Sequence, residues 1–351
     1  MQRVYVNFQF KKIVIFFITI ITFIIALSVI VVGLEEKDEH IDSLQNYKLN
    51  EENIVLKKIE GNPRVKLYIK DKDKIVDMEL EEYVRGVVAA EMPANFNLEA
   101  LKAQAVAART YVLAHMKAYN GGNCSIGKGA DVCDTTHCQA YVSKEERFDS
   151  WSKQSAVQLW SKVTKAVSET AGQVLTYDGE LVMRPYYFAI SSGKTENVAE
   201  VFSGDSPYLK SVDSTGDRTV KNYQVTTNYT YSKLATLINS KYPKAKVSAN
   251  NLKNQISILK RTSGGGSVST IKIGSAEITG PQFRTLLNLR SSNFTISFNS
   301  KTIKITCKGY GHGVGMSQWG ADAMAEDGKN YKQILTHYYQ GVEIKKIEDL
   351  N

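Results

Sequence analysis

The chain has no cluster of basic residues, no internal repeat and no long low-complexity run. The first absence argues against a nucleic-acid partner, the second against a solenoid, and the third against a largely disordered protein. A phosphate-binding loop is missing too. Gly193-Lys194-Thr195 resembles the end of one, but the glycine required five residues earlier is Phe188, which excludes that route to nucleotide binding. What charge imbalance there is leans basic: 44 Lys and Arg against 36 Asp and Glu, or +8. A surplus so small and dispersed suits an anionic surface and identifies none.

One segment stands apart. Residues 13–33 carry no charge, and their only polar side chains are Thr and Ser. As a helix this run would span about 31 Å, enough for the hydrocarbon core of a bilayer. Arg3, Lys11 and Lys12 precede it, whereas Glu35, Glu36, Asp38 and Glu39 follow. That order predicts a cytoplasmic tail over 1–12, a single transmembrane anchor over 13–33 and everything later outside. A signal peptide would have a shorter apolar region and a small-x-small cleavage site, and none is evident. Residues 34–62 are charged and lack a sustained apolar period, as a tether would.

From residue 63 onward the patterning is globular. Strands are expected over 65–69, 75–80, 173–177 and 186–189, and helices over 80–91, 98–119 and 158–170. Alanine is dense in the second helix (Ala100, Ala103, Ala105, Ala107, Ala108), which favours helix and permits close approach of neighbouring backbone. Between about 222 and 306 the character changes. A helix over 231–241, a Ser-Gly-Gly-Gly-Ser connection at 263–267, strands over 268–273 and 295–306 and a helix opened by Gly280-Pro281 suggest an inserted α+β lobe. The fold class expected is therefore mixed α+β, with two lobes flanking a groove.

The densest local signal is Lys308-Gly-Tyr-Gly-His-Gly-Val-Gly-Met-Ser-Gln-Trp-Gly320. Glycine on four alternate residues weakens a strand, so the segment reads as a loop whose backbone must approach something closely, with Tyr310 and His312 beside it. Two short helices should follow, closed by Gly328 and Gly341.

Glu91 is the candidate acid. Leu80, Val84, Val87 and Glu91 are spaced 4, 3 and 4, so the carboxylate continues the apolar stripe of its helix. It also ends the helix, where the dipole is negative. Both effects raise a carboxyl pKa, which a general acid needs at neutral pH. The competing reading is a helix-end glutamate turned to solvent. Lys102 and Arg109, seven residues apart, would share one face and could hold substrate or steady Glu91, unless they form a solvated edge.

Three of the four cysteines fall together, with His137 among them: Cys124, Cys133 and Cys138. Four-coordinate zinc held by these four side chains, structural or site-shaping, is the expectation. The alternative is a disulfide between Cys138 and either Cys124 or Cys133. Cys307 should be a buried small hydrophobe.

Taken together, Val87-Val-Ala-Ala-Glu-Met-Pro-Ala-Asn-Phe96, Glu99-Ala-Leu-Lys-Ala-Gln-Ala-Val-Ala-Ala-Arg-Thr-Tyr111, Ser191-Ser-Gly-Lys-Thr-Glu-Asn197 and the glycine-rich block resemble the stage II sporulation protein D family. The resemblance spans most of residues 63–345. It implies a membrane-anchored lytic transglycosylase that cleaves the MurNAc–GlcNAc bond of stem-peptide-free peptidoglycan and leaves 1,6-anhydromuramoyl ends during forespore engulfment. It places the domain between the two membranes, anchored on the mother-cell side, with a cell-wall amidase and a membrane scaffold as partners. Glu91 matches the catalytic acid, and Lys102, Arg109 and Lys194 match active-site cations. Ser191, Ser192, Tyr310, His312 and Gln318 are expected to bind substrate. A non-catalytic glycan-binding activator of an amidase and a hydrolytic muramidase are the rival readings.

Overall fold

The computed structural model describes residues 56–350 apart from 58, 60 and 62. The tail and anchor expected over 1–33, and nearly all of the tether over 34–62, lie outside the described residues. Among the described residues no helix is long and apolar enough to cross a membrane.

The architecture is mixed α+β, with several small sheets. Its centre is the alanine-rich helix Leu98–Leu113, in which 13 of 16 residues are buried. The helices Leu80–Glu91, Ala156–Glu169, Gln318–Glu326 and Tyr331–Tyr338 and the strand Gln173–Tyr177 all pack against it. A helix surrounded on every side needs small residues to let neighbours approach, which accounts for the alanines. Asn97 caps its start by accepting the Glu99 N–H. The helix ends at Leu113, earlier than 119, and the chain continues through turns to a short 3-10 turn at Lys117–Tyr119.

Helix Leu80–Glu91 ends where Pro93 requires. Met92 is extended (φ −116°, ψ 145°). Strand Arg64–Ile69 pairs antiparallel with Lys74–Glu79 and parallel with the two-residue strand Val132–Cys133, which brings the cysteine loop to the sheet edge.

A second hydrophobic core lies within residues 229–307 and includes Leu234, Ile238, Ile271, Phe283, Phe294 and Ile305. Two three-stranded antiparallel sheets enclose it with the helices Tyr231–Lys241 and Gly280–Leu287. The run 295–306 is a hairpin of Phe294–Phe298 and Thr302–Lys308, not one strand. Asn299-Ser-Lys301 supplies the polar break between them. Cys307 is 3 % exposed and packs into this core.

Candidate active site

Glu91 is half-buried at the end of its helix and lines a cavity of about 760 Å³. Tyr111, His115, Tyr187, Tyr310, His312 and Gln318 are among the other side chains around it, and among the described residues Glu91 is the one carboxylate in the lining. Oε1 of Glu91 accepts the Ala140 N–H at 2.7 Å, and Nε2 of Gln318 reaches Oε2 at 3.5 Å. Burial raises the Glu91 pKa above its usual 4.5, while these two hydrogen bonds pull it back only in part. The carboxyl is therefore oriented at both oxygens and holds its proton to a higher pH than a free glutamate.

Three connections hold this geometry. The Asn97 N–H donates to Asp322 at 2.7 Å, and Phe96 packs edge-on against Trp319 at 4.7 Å, so the turn after Glu91 is fastened to the helix that carries Gln318. Gln139 is buried and donates to the Tyr83 hydroxyl at 3.1 Å, while its Oε1 accepts the Tyr187 hydroxyl at 2.7 Å. Tyr141 stacks on Tyr83 with ring centroids 5.9 Å apart, over Gly86, where a β-carbon would lie 2.2 Å from the Tyr141 ring. Together these contacts pin the loop that delivers the Ala140 amide.

The glycine block approaches protein backbone at close range. Its four alternate glycines all have positive φ; at Gly315 (φ 81°) a β-carbon would sit 1.9 Å from the Tyr186 carbonyl oxygen. The block runs against residues 186–196 through paired backbone at Tyr310–Ile190 and Val314–Glu196, then enters the parallel pair Met316–Ser317 with Tyr187–Phe188. This course places Tyr310, His312 and Gln318 on the cavity. Tyr310 is 47 % exposed, with the Arg290 guanidinium stacked 4.5 Å above its ring. His312 presents its ring and no free nitrogen: Nδ1 accepts the Val314 N–H and Nε2 donates to the Tyr187 carbonyl, both at 3.1 Å. Burial pushes its pKa down to about 4, so the imidazole is neutral at physiological pH.

Five of the expected substrate contacts stand elsewhere. Arg109 has no exposed surface; Nε and Nη2 bind both oxygens of Glu81 at 2.8 and 2.6 Å, and Nη1 donates to the Gln173 carbonyl at 3.0 Å. Its seven-residue relation to Lys102 holds on the helix, but that helix is buried all round and the shared face meets protein. Lys102 is engaged by Glu99 at 2.7 Å and Glu169 at 2.5 Å. Ser191 is buried, and its hydroxyl donates to Asp217 at 2.5 Å. Asp217 also accepts from Ser214 and Ser317, each at 2.7 Å, which fixes the N-cap of the helix carrying Gln318. Ser192 donates to the Gly265 carbonyl at 2.8 Å. Lys194 is half-exposed, 3.8 Å from Asp213, and does not line the cavity with Glu91.

Several residues were not singled out from the sequence. Tyr111 and His115, one helical turn apart, stack at 4.2 Å, and their i, i+4 spacing was a readable signal. Tyr186, Phe188 and Phe202 meet around His312 at centroid distances of 5.2 to 6.1 Å. The Ala140 amide carries no sequence signal at all.

The four thiols are free, and Cys124, Cys133, His137 and Cys138 place their ligand atoms within 4.8 Å of one another. Nδ1 of His137 lies 3.5, 3.9 and 3.5 Å from the sulfurs of Cys124, Cys133 and Cys138. An ideal zinc tetrahedron has sulfur–nitrogen edges of about 3.6 Å, so the four donors fit. The adjacency of His137 and Cys138 is accommodated because the two side chains turn to the same point. Nε2 of His137 contacts the Ser125 hydroxyl at 3.2 Å, an outer partner of the kind that orients a ligating imidazole.

Comparison with known proteins adds the following. The Stage II sporulation protein family matches residues 68–177. Stage II sporulation protein D of Bacillus amyloliquefaciens is 39% identical over 284 residues, covering 81% of this chain and 79% of that protein. The protein of the same name from Bacillus subtilis (strain 168) is 36% identical over the same shares. An Amidase enhancer of Bacillus subtilis (strain 168) is 31% identical over 74% of this chain and 40% of its own length.

Proposed function

The chain belongs to the stage II sporulation protein D family, and from that membership and the geometry around Glu91 we propose that it is a lytic transglycosylase of peptidoglycan. The substrate is a glycan strand freed of stem peptides, lying in the cavity beside Glu91. The observation that carries the reading is that, among the described residues, Glu91 is the one carboxylate lining the cavity, and burial raises its pKa.

A hydrolytic glycosidase ordinarily needs a second carboxylate, as nucleophile or as base. Asp205 and Asp213, acids that could otherwise fold toward the site, are both largely exposed and sit 2.8 Å from Lys210 and 3.8 Å from Lys194. A transglycosylase needs only one. Glu91 gives its proton to the glycosidic oxygen as the bond from C1 of MurNAc breaks. The C6 hydroxyl of the same sugar closes on C1, and the Glu91 carboxylate takes the hydroxyl proton. The products are a 1,6-anhydromuramoyl end and a free GlcNAc end, with Glu91 reprotonated. Ala140 and Gln318 hold the carboxyl through both steps. Tyr310 offers a sugar-stacking face.

Zinc would be held by Cys124, Cys133, His137 and Cys138. With four protein ligands the site would be closed, so the metal would supply structure to the loop before Ala140 and offer no open position for bond cleavage. The residues 13–33 would anchor the domain in the mother-cell membrane, facing the intermembrane space, where a cell-wall amidase and a membrane scaffold are its partners.

The test is digestion of stem-free glycan by the full-length protein and by its Glu91→Gln variant, read by mass spectrometry. Anhydro ends from the wild type alone are expected. Reducing ends would identify a hydrolytic muramidase. The Amidase enhancer relative favours one second reading, a glycan-binding activator of an amidase; binding without cleavage by the wild type would establish it.

A further inference from the structure

Glu91 lines two depressions. Beyond the cavity already described, a second one of about 440 Å³ is walled by Glu91, Pro93, Asn95, Arg147, Trp151 and Leu159. Among the described residues Glu91 is the one common to both linings. An acid that cleaves a bond inside a polymer has substrate on either side of it, so a strand crossing Glu91 would enter both.

The second depression is built for a particular chemistry. Pro93, Trp151 and Leu159 give it apolar walls, and a half-buried indole is a platform for the flat apolar face of a pyranose. Arg147 and Trp151 stand one turn apart, and the guanidinium lies 4.7 Å over the indole ring. No carboxylate pairs with Arg147 among the described residues, and its buried Nε has no hydrogen-bond partner. A guanidinium stacked on an aromatic ring leaves its in-plane N–H groups free of the ring, and its two Nη groups can bind a carboxylate through two parallel hydrogen bonds. The segment that carries both residues is firm, because Ser143 and Glu146 form a capping box at the start of helix Lys144–Ser150.

We propose that this depression is a second glycan subsite, in which Trp151 stacks a sugar ring and Arg147 binds the free lactyl carboxylate of a muramic acid residue. The inference rests on the glycan-cleaving reading above. It adds a recognition step: a lactyl group still joined to a stem peptide is an amide, and it offers Arg147 neither the charge nor the second oxygen. Arg147 thereby discriminates stripped glycan from unstripped.

The experiment measures binding by calorimetry to full-length protein carrying Glu91→Gln, which leaves the ligand uncut. The probes are a stem-free MurNAc–GlcNAc hexasaccharide and chitohexaose, which has no lactyl group. Adding Arg147→Ala should weaken the muramic ligand about tenfold and leave chitohexaose within about twofold. Trp151→Ala should weaken both. Unchanged chitohexaose binding also reports that the Arg147 variant is folded, and Arg147→Gln repeats the test should alanine disturb the helix. An Arg147 effect that is absent, or equal for the two probes, overturns the inference while the function stands. A parent that binds neither glycan overturns both. Wild-type protein that binds without cutting overturns the cleavage reading alone and leaves the subsite in place.

Discussion

Ala140 donates its backbone N–H to Oε1 of Glu91 at 2.7 Å, although 49 residues separate them. Ala140 is two residues past Cys138 and follows Gln139, which is clamped between Tyr83 and Tyr187. The orientation of the acid thus depends on a loop whose other end is a cluster of three thiols and an imidazole.

That dependence makes the cysteine loop testable. Protein purified without chelator should contain about one zinc per chain, and Cys133→Ser should lose it. Loss of metal should lower Tm and reduce turnover more than glycan affinity, because the Ala140 amide shifts while Tyr310 stays. Metal analysis with paired kcat and KM values checks this, and metal-free protein of unchanged Tm would remove the zinc from the account.

The pH profile should carry the mark of Glu91. Burial raises its pKa above 4.5, and the proposed cleavage step needs the protonated form. The rate at saturating glycan should therefore hold through pH 4.5 and fall only as pH climbs through the raised value. For stability the sign is the same: the folded chain binds this proton more tightly than the unfolded one, so the contribution is complete below 4.5 and is lost as pH rises through the folded value. In Glu91→Gln that contribution should vanish from urea-unfolding curves compared across the range.

Arg109 should behave as a structural residue. Arg109→Met leaves Glu81 buried without its partner and should cost about 3–5 kcal/mol. Glu81→Gln in the same chain should recover part of it. The folded protein should keep its affinity for glycan, because Arg109 has no exposed surface. Chemical denaturation and glycan titration separate the two effects; loss of affinity at full stability would return Arg109 to the site.

Gly315 should tolerate no side chain. Alanine there must adopt φ near 81° and press its β-carbon into the Tyr186 carbonyl, so a loss of at least about 2 kcal/mol is expected. Gly328, also at positive φ but with nothing near its β position, should cost only the conformational part, about 1 kcal/mol. Unfolding midpoints of the two alanine variants give the comparison.

Much of this protein could be read in its sequence, because the signals are local. The stripe Leu80, Val84, Val87, Glu91 names a helix face, and the helix occupies those residues. Pro93 ends it, alanine density marks the central helix, and alternate glycines mark a backbone that must pass closely against another. The helix Tyr231–Lys241 and the strands Gln173–Tyr177 and Val268–Ile273 run over the residues expected. The hairpin within 294–308 was hidden because Asn-Ser-Lys is a weak break between two runs of similar alternation.

What a side chain meets is another matter, since that depends on residues far along the chain. Heptad spacing put Lys102 and Arg109 on one face, but whether that face meets solvent, substrate or Glu81 depends on what packs there. The helix is enclosed, and a buried guanidinium must be satisfied by protein; Glu81 and the Gln173 carbonyl satisfy it. Ser191 was legible as part of a motif, yet its hydroxyl serves Asp217. The alternation of glycines told that a close approach occurs; only the fold decided that the segment 186–196 is what it approaches. So the sequence determined most of the elements, the candidate acid and the set of possible metal ligands. The tertiary structure decided which charges are spent inside the protein and which side chains gather around Glu91, because burial and pairing are properties of the packed chain.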